Sequence, residues 1–164
     1  MTTAILPTIT IGTRPRAGDA APDFTLKNTA DQDVTLSSFR GTSNVLVAFF
    51  PMAFTSVCTA ELCAFGDDYS AFEGQDVVVL PVSTDAIPSL KAFKKQSGLK
   101  VELLSDFKRQ ASAAFDVLFA DAFFANRAYF LIDRQGIVRW AHVEDSPGKM
   151  RENAEILAEV AKLG

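Results

Sequence analysis

Asn44-Val-Leu-Val-Ala-Phe-Phe50 is an unbroken apolar run stopped by Pro51. Such a run predicts a central strand covered on both faces, because a half-exposed strand would alternate polar with apolar residues. Asp76-Val-Val-Val-Leu-Pro-Val82 is a second run of the same kind. Between them Cys58, Leu62, Phe65, Tyr69 and Phe72 recur at steps of four and three, which places them on one stripe of a helix. The three pieces make a strand, helix, strand unit, and the rest of the chain is arranged around it.

Upstream, Asp23-Phe-Thr-Leu26 and Val34-Thr-Leu36 predict short strands around the polar turn from Asn28 to Asp33, and Ser37 to Gly41 reads as one helical turn ending on glycine. Residues 1–17 carry Pro7, Gly12 and Pro15 without sustained periodicity and are expected to form an N-terminal extension, with the domain proper over 18–164. Downstream, Ser83-Thr-Asp85 offers capping residues for a helix over Ile87 to Ser97 that ends at Gly98. A short strand near Leu103-Leu104 and a short helix over Gln110 to Phe115 follow. Ala128 to Ile132 and Ile137 to Trp140 are joined by Asp133-Arg-Gln-Gly136, a hairpin turn. A last helix is expected over Lys149 to Leu163, with Met150, Ala154, Leu157 and Ala161 on its inner face. No internal repeat or low-complexity tract interrupts this order. The pattern predicts an α/β fold, a thioredoxin-like three-layer domain with a central mixed sheet.

The chain has 164 residues, 48% of them hydrophobic, enough for one filled core and too few for a second catalytic domain. Sixteen basic against 20 acidic residues leave a net charge of -4, so nucleic acid and anionic membrane are not expected partners. The first residues lack a basic segment, Pro7 and Gly12 interrupt the only early apolar stretch, and no window approaches a bilayer span, all of which point to the cytoplasm. In a reducing compartment a close cysteine pair is redox-active or metal-binding, and zinc is disfavoured because only Cys58, Cys63 and the single His142 offer N or S ligands.

Cys58 falls just beyond a buried strand, at the first turn of a helix. Unpaired backbone N–H groups and the positive end of the helix dipole there favour a thiolate, a far stronger nucleophile than the thiol. Thr55, three residues earlier, can offer a hydroxyl to the sulfur or to its reaction partner, and Pro51 would shield the site without adding a competing donor.

Pro51-Met-Ala-Phe-Thr55-Ser-Val-Cys58 resembles the peroxiredoxin active-site pattern P-x-x-x-T-x-x-C. Gly18-Asp-Ala-Ala-Pro-Asp-Phe-Thr-Leu26 is similar to that family's opening segment, Leu103-Leu-Ser-Asp106 to the segment before its later short helix, and Arg127-Ala-Tyr-Phe-Leu-Ile-Asp133 to the strand carrying its active-site arginine. The resemblance covers residues 18–164. It implies a thiol-dependent peroxidase in which Cys58 is the peroxidatic cysteine, Thr55 a hydrogen-bond partner of thiolate and peroxide, Pro51 their cover, and Arg127 the cation beside both. Glu61 corresponds to the residue that orients this arginine in several subfamilies. The expected substrates are hydrogen peroxide and organic hydroperoxides, with no metal, flavin or haem cofactor.

Cys58-Thr-Ala-Glu-Leu-Cys63 has the C-x4-C spacing of the Q-type, or bacterioferritin comigratory, peroxiredoxins, whereas the Phe50 to Thr55 stretch resembles alkyl hydroperoxidase E. The first likeness implies that Cys63 resolves oxidised Cys58 in an intramolecular disulfide, recycled by thioredoxin or a similar dithiol. The second implies a one-cysteine peroxidase with Cys63 structural. In an intact helix the two Cα atoms lie about 8–9 Å apart, so a bridge requires the first turns to unwind. The same mixture of likenesses leaves monomer and homodimer both open. A thiol-disulfide oxidoreductase on this fold is disfavoured by the lack of Cys-x-x-Cys, and a binding scaffold without activity by the joint presence of Pro51, Thr55, Cys58 and Arg127. His142 is expected to have no catalytic duty. Phe115, Phe119, Phe123 and Phe124 fit either core packing or a peroxide entrance or dimer contact.

Overall fold

The computed structural model describes residues 11–119 and 123–163, so residues 1–10 of the expected extension lie outside the described residues. In chain order the first elements are β1 (Thr25–Asn28), β2 (Asp33–Thr35), a 3-10 turn (Leu36–Phe39) and β3 (Asn44–Phe49). Next come α1 (Ser56–Asp67), α2 (Tyr69–Gly74), β4 (Val77–Ser83), α3 (Ile87–Ser97), β5 (Leu104–Ser105) and α4 (Gln110–Ala114). The chain continues with β6 (Leu118–Phe119), β7 (Phe124–Ala125), β8 (Ala128–Ile132), β9 (Val138–Val143) and α5 (Asn153–Ala161).

The two apolar runs become the middle of a seven-stranded sheet ordered β2-β1-β5-β4-β3-β8-β9. β3 runs parallel to β4 and antiparallel to β8, so the sheet is mixed. Alternation along β3 feeds two cores. Leu46, Ala48 and Phe50 pack with Leu62, Phe65, Phe72, Leu90, Phe93, Ile156 and Val160 of α1, α2, α3 and α5. Val45, Val47 and Phe49 pack with Leu36, Ala111, Phe115 and Phe130 on the opposite face. Each fully buried Leu, Val or Phe stabilises by about 1.5–3 kcal/mol, which is why both runs are apolar throughout. This is the three-layer α/β arrangement with a mixed central sheet.

The stripe from Cys58 to Phe72 does not form one helix. It breaks at Asp68, whose N–H still bonds the Ala64 carbonyl while its carboxylate accepts Asn153 Nδ2 at 2.9 Å. The break turns α2 so that Phe72 stays buried but Tyr69 is 47% exposed. The last helix starts at Asn153 rather than Lys149, and its buried residues are Asn153, Ile156 and Val160. Ala154 and Ala161, expected inside, face solvent. The larger β-branched pair at i, i+4 buries more apolar surface than two alanines do, and so sets the rotation of the helix.

Ser83-Thr-Asp85 does not cap α3, whose N-cap is Ala86 without a side-chain bond. The Asp85 carboxylate instead accepts the Ala53 N–H at 2.9 Å and the Ser83 hydroxyl at 2.8 Å, tying the loop after β3 to the end of β4. The hairpin turn between β8 and β9 forms as its residues require: Asp133 accepts the N–H groups of Gln135 and Ile137, and Gly136 adopts φ +81. Gly12 and Arg14 reach the end of α4 and the turn after it, Gly12 N–H donating to the Ala113 carbonyl at 2.9 Å and Arg14 donating to that of Asp116. A Cβ on Gly12 would stand 2.5 Å from the Ala114 oxygen, so only glycine permits this approach.

Candidate active site

The loop from Pro51 to Thr55 links the buried end of β3 to α1. Phe50 N–H bonds the Val82 carbonyl at 2.9 Å and Ala53 N–H bonds Asp85, so the loop is held at its start and its middle. Phe54 takes φ +66, an uncommon conformation for a bulky aromatic, and its ring lies 5.1 Å from that of Phe93 on α3. That contact and the Ala53 bond hold a turn that costs about 1–3 kcal/mol in isolation. Thr55 then serves as N-cap of α1, placing Cys58 in its first turn.

Cys58 is 1% exposed and belongs to the same apolar cluster as Ala53 and Leu62, but one charged group reaches its sulfur. Arg127 Nη2 donates to Cys58 Sγ at 3.1 Å, and the same nitrogen donates to the Pro147 carbonyl at 3.1 Å. Arg127 Nη1 donates to Glu61 Oε1 at 2.8 Å in an ion pair with both side chains buried. Among the described residues Arg127 Nε has no hydrogen-bond partner. Burial tends to weaken the guanidinium's hold on its proton, but the charges of Glu61 and Cys58 outweigh it and hold Arg127 above its ordinary value. Glu61 is subject to opposed influences: burial pushes its carboxyl up, while Arg127 and Tyr129 draw it down, with a net upward shift.

Arg127 is aimed by the strand it opens. Its own N–H bonds Asn126 Oδ1 at 2.9 Å, Asn126 Nδ2 donates to the Glu144 carbonyl, and Glu144 N–H bonds the Arg127 carbonyl. The Glu144 carboxylate, itself buried, is paired with Arg151 at 2.7 Å and lies 3.4 Å from His142 Nε2. His142 stacks on Trp140, and Trp140 on Tyr129.

The structure therefore brings together Cys58, Glu61 and Arg127 from segments far apart in the chain. The Arg127 to Glu61 pair, which on a surface would be worth little, is fully buried. Thr55 departs from expectation: its hydroxyl donates to the Met52 carbonyl at 2.9 Å and makes no bond to Cys58. Its single proton is committed within the turn, which leaves its lone pairs to accept from an incoming O–H. Pro51 is buried at the start of this turn. Cys63 lies five residues along the intact α1, half-buried, its Sγ directed to the Ser97 carbonyl at 3.9 Å.

Tyr129 was not anticipated. It is buried on β8, and its hydroxyl donates to Glu61 Oε2. The available signal was the strand period of two, which puts residues 127 and 129 on one face. Among the described residues no group of three or more His, Cys, Asp or Glu is placed to hold a metal ion, and no helix is long and apolar enough to cross a membrane. Of the four phenylalanines, Phe115 is core, whereas Phe119 and Phe123 are exposed on the small β6-β7 ribbon.

A mixed sheet that presents a thiol at a helix N-terminus to a buried guanidinium defines a thioredoxin-fold protein equipped for thiol chemistry. A family model described as the AhpC/TSA family matches residues 17–141. The alkyl hydroperoxide reductase E of Mycobacterium tuberculosis is 42% identical over 137 residues, 82% of this chain and 89% of that protein. The reduced 2-Cys peroxiredoxin of Plasmodium vivax superposes with a TM-score of 0.82 at 32% identity, over 90% of this chain and 95% of its own. The peroxidoxin BcpB of Mycobacterium tuberculosis superposes with a TM-score of 0.82 at 25% identity, over 92% and 99%. The chain belongs to the AhpC/TSA family of peroxiredoxins.

Proposed function

We propose that this thiol-dependent peroxidase reduces hydrogen peroxide and organic hydroperoxides at Cys58. The observation that carries the reading is Arg127 Nη2 at 3.1 Å from Cys58 Sγ, with the other end of the guanidinium held by Glu61. The Cys58 thiolate attacks one peroxide oxygen; the S–O bond forms as the O–O bond breaks. Sulfur is oxidised to sulfenic acid, and the second oxygen leaves as alkoxide or hydroxide and takes up a proton. Arg127 supplies a fixed cation where that negative charge develops, and its unpartnered Nε–H is a further donor. Thr55 accepts from the peroxide O–H through the lone pairs its turn leaves free. Pro51 covers the site. Because Cys58 is 1% exposed, peroxide reaches the sulfur through a small displacement of that cover.

The sulfenic acid then condenses with the Cys63 thiol: the S–S bond forms, the S–O bond breaks and water leaves. The disulfide is returned to two thiols by thioredoxin or a similar dithiol. A second reading, in which Cys63 is structural and the enzyme works with one cysteine, is favoured by the direction of its sulfur toward Ser97. Peroxide titration of wild type, Cys58→Ser and Cys63→Ser with counting of remaining thiols separates these. The expected result is loss of both thiols in wild type, one in Cys63→Ser and neither in Cys58→Ser. Peroxide consumption by Cys58→Ser at the wild-type rate would refute the site.

We further take residues 18–164 as the catalytic domain and the cytoplasm as its compartment. Between monomer and homodimer, the exposed Phe107 and Phe123, both bound through their carbonyls by Arg109, together with exposed Phe119, whose carbonyl accepts the Phe123 N–H, support a homodimer. Sedimentation of wild type and Phe123→Ser, with a lighter species in the variant, tests this.

A further inference from the structure

Tyr129 lies on β8, two residues after Arg127, and is fully buried. Its hydroxyl donates to Glu61 Oε2 on α1 and accepts the Arg151 backbone N–H at 3.0 Å from the segment leading into α5. A phenol has one proton, and with Arg151 occupying a lone pair that proton belongs to the carboxylate. Glu61 is thereby held at both oxygens, Oε1 by Arg127 and Oε2 by Tyr129. A carboxylate released at Oε2 would turn about its broad terminal torsion and carry the guanidinium away from Cys58 Sγ.

Glu61 also lies between Cys58 and Cys63 on α1. Closing a disulfide brings the two Cα atoms within about 7 Å, so the helix must unwind across Glu61 and break its bond to Tyr129. We propose that Tyr129 is a positioning residue for both half-reactions: its hydroxyl fixes Glu61 so that Arg127 addresses Cys58, and letting go of Glu61 is a step that α1 must complete before Cys63 captures the sulfenic acid. The inference rests on Cys58 being the peroxide-reacting thiol and on Cys63 capturing its sulfenic acid. One hydrogen bond thus speeds oxidation and slows disulfide closure, and its removal moves the two rates in opposite directions.

The test compares Tyr129→Phe, Glu61→Gln, their combination, and Trp140→Phe, which alters the ring stacked on Tyr129 without touching Glu61. Quenched-flow mass spectrometry follows the sulfenic acid and the disulfide in one time course. In Tyr129→Phe oxidation is expected to slow about tenfold, as for a buried charged acceptor deprived of one donor. Disulfide closure should accelerate, and less sulfinic acid should form under excess peroxide. The acid limb of the oxidation rate should move to higher pH, because Glu61 loses a donor that draws its carboxyl down while Arg127, Glu144, Arg151 and Cys58 around it are unchanged. Adding Tyr129→Phe to Glu61→Gln should cost less than it does alone, whereas Trp140→Phe should stay within about twofold of wild type in both rates. If Tyr129→Phe does not fold, Glu61→Gln tests the same bond from its other end and should show the same opposed shifts. Rates that fall together, or a Trp140→Phe effect equal to that of Tyr129→Phe, would overturn the proposal and leave Cys58 chemistry standing. A wild type whose Cys58 is not oxidised by stoichiometric peroxide would overturn both.

Discussion

Replacing Arg127 by methionine keeps the volume and removes every donor. Two losses follow from the geometry. The thiol loses the guanidinium 3.1 Å away, and Glu61, with a side chain 2% exposed, becomes a buried carboxylate without its cation. Losing a preorganised donor at the reacting centre lowers the oxidation rate about 10²–10³-fold. Stranding a buried charge costs about 3–5 kcal/mol, because the carboxylate keeps its desolvation penalty and loses its partner. For a chain of this length that corresponds to a fall in Tm of about 6–20 °C.

The second loss is reversible by design. Burial already pushes the Glu61 carboxyl up, and without Arg127 that push is less opposed. A carboxyl raised in the folded state keeps a proton that the unfolded chain releases, so the variant should lose stability as pH rises above the ordinary value of 4.5. Adding Glu61→Gln removes the charge, flattens this pH dependence and should recover about 1–3 kcal/mol. It should not recover the oxidation rate. Urea unfolding across pH and stopped-flow oxidation read the two quantities separately. A wild-type oxidation rate in Arg127→Met would refute the role given to the guanidinium; a pH-independent stability loss that Glu61→Gln leaves untouched would refute the buried-charge argument.

Thr55→Val should slow oxidation about 10²-fold by removing the hydroxyl from the peroxide's path, while Thr55→Ser stays near wild type; equal rates in a single-turnover assay would count against a role for the hydroxyl. Asp85→Ala leaves the Ala53 N–H without its acceptor and should lower both stability and the oxidation rate, measured by thermal melting and stopped flow, although Asp85 is remote from the chemistry. Asp133 is held below its ordinary value of 3.8 chiefly by the Arg139 bond, with the turn N–H groups, against the opposing effect of burial. A depressed carboxyl contributes stability above that value and loses it as pH falls, so Asp133→Ala should be less stable than wild type at neutral pH and converge on it in acid.

The local grammar of the chain was legible because short-range physics decides it. Apolar runs without alternation belong in the middle of a sheet, Asp133 to Gly136 carries the residues its turn demands, and a cysteine three residues past a threonine at a strand end falls in the first turn of a helix. What was not legible depended on competition between distant groups. The break at Asp68 reflects an acceptor for Asn153 that lies far along the chain. The rotation of α5 was decided by which residues had core to fill, and Ile156 and Val160 outbid alanines that satisfy the same helical period. Asp85, suited to a cap, was drawn to Ala53 instead.

The sequence by itself determined the central strands, the helix that presents Cys58, the candidate partners Thr55, Glu61 and Arg127, and the likeness to peroxiredoxins. Only the tertiary structure decided that Arg127 is buried against both Glu61 and Cys58, that the Thr55 hydroxyl is turned to Met52, and that Tyr129 completes the hold on Glu61. The physical reason is that periodicity and turn chemistry act over a few residues, whereas a buried charge is positioned by whichever donors and acceptors the folded sheet brings within about 3 Å of it.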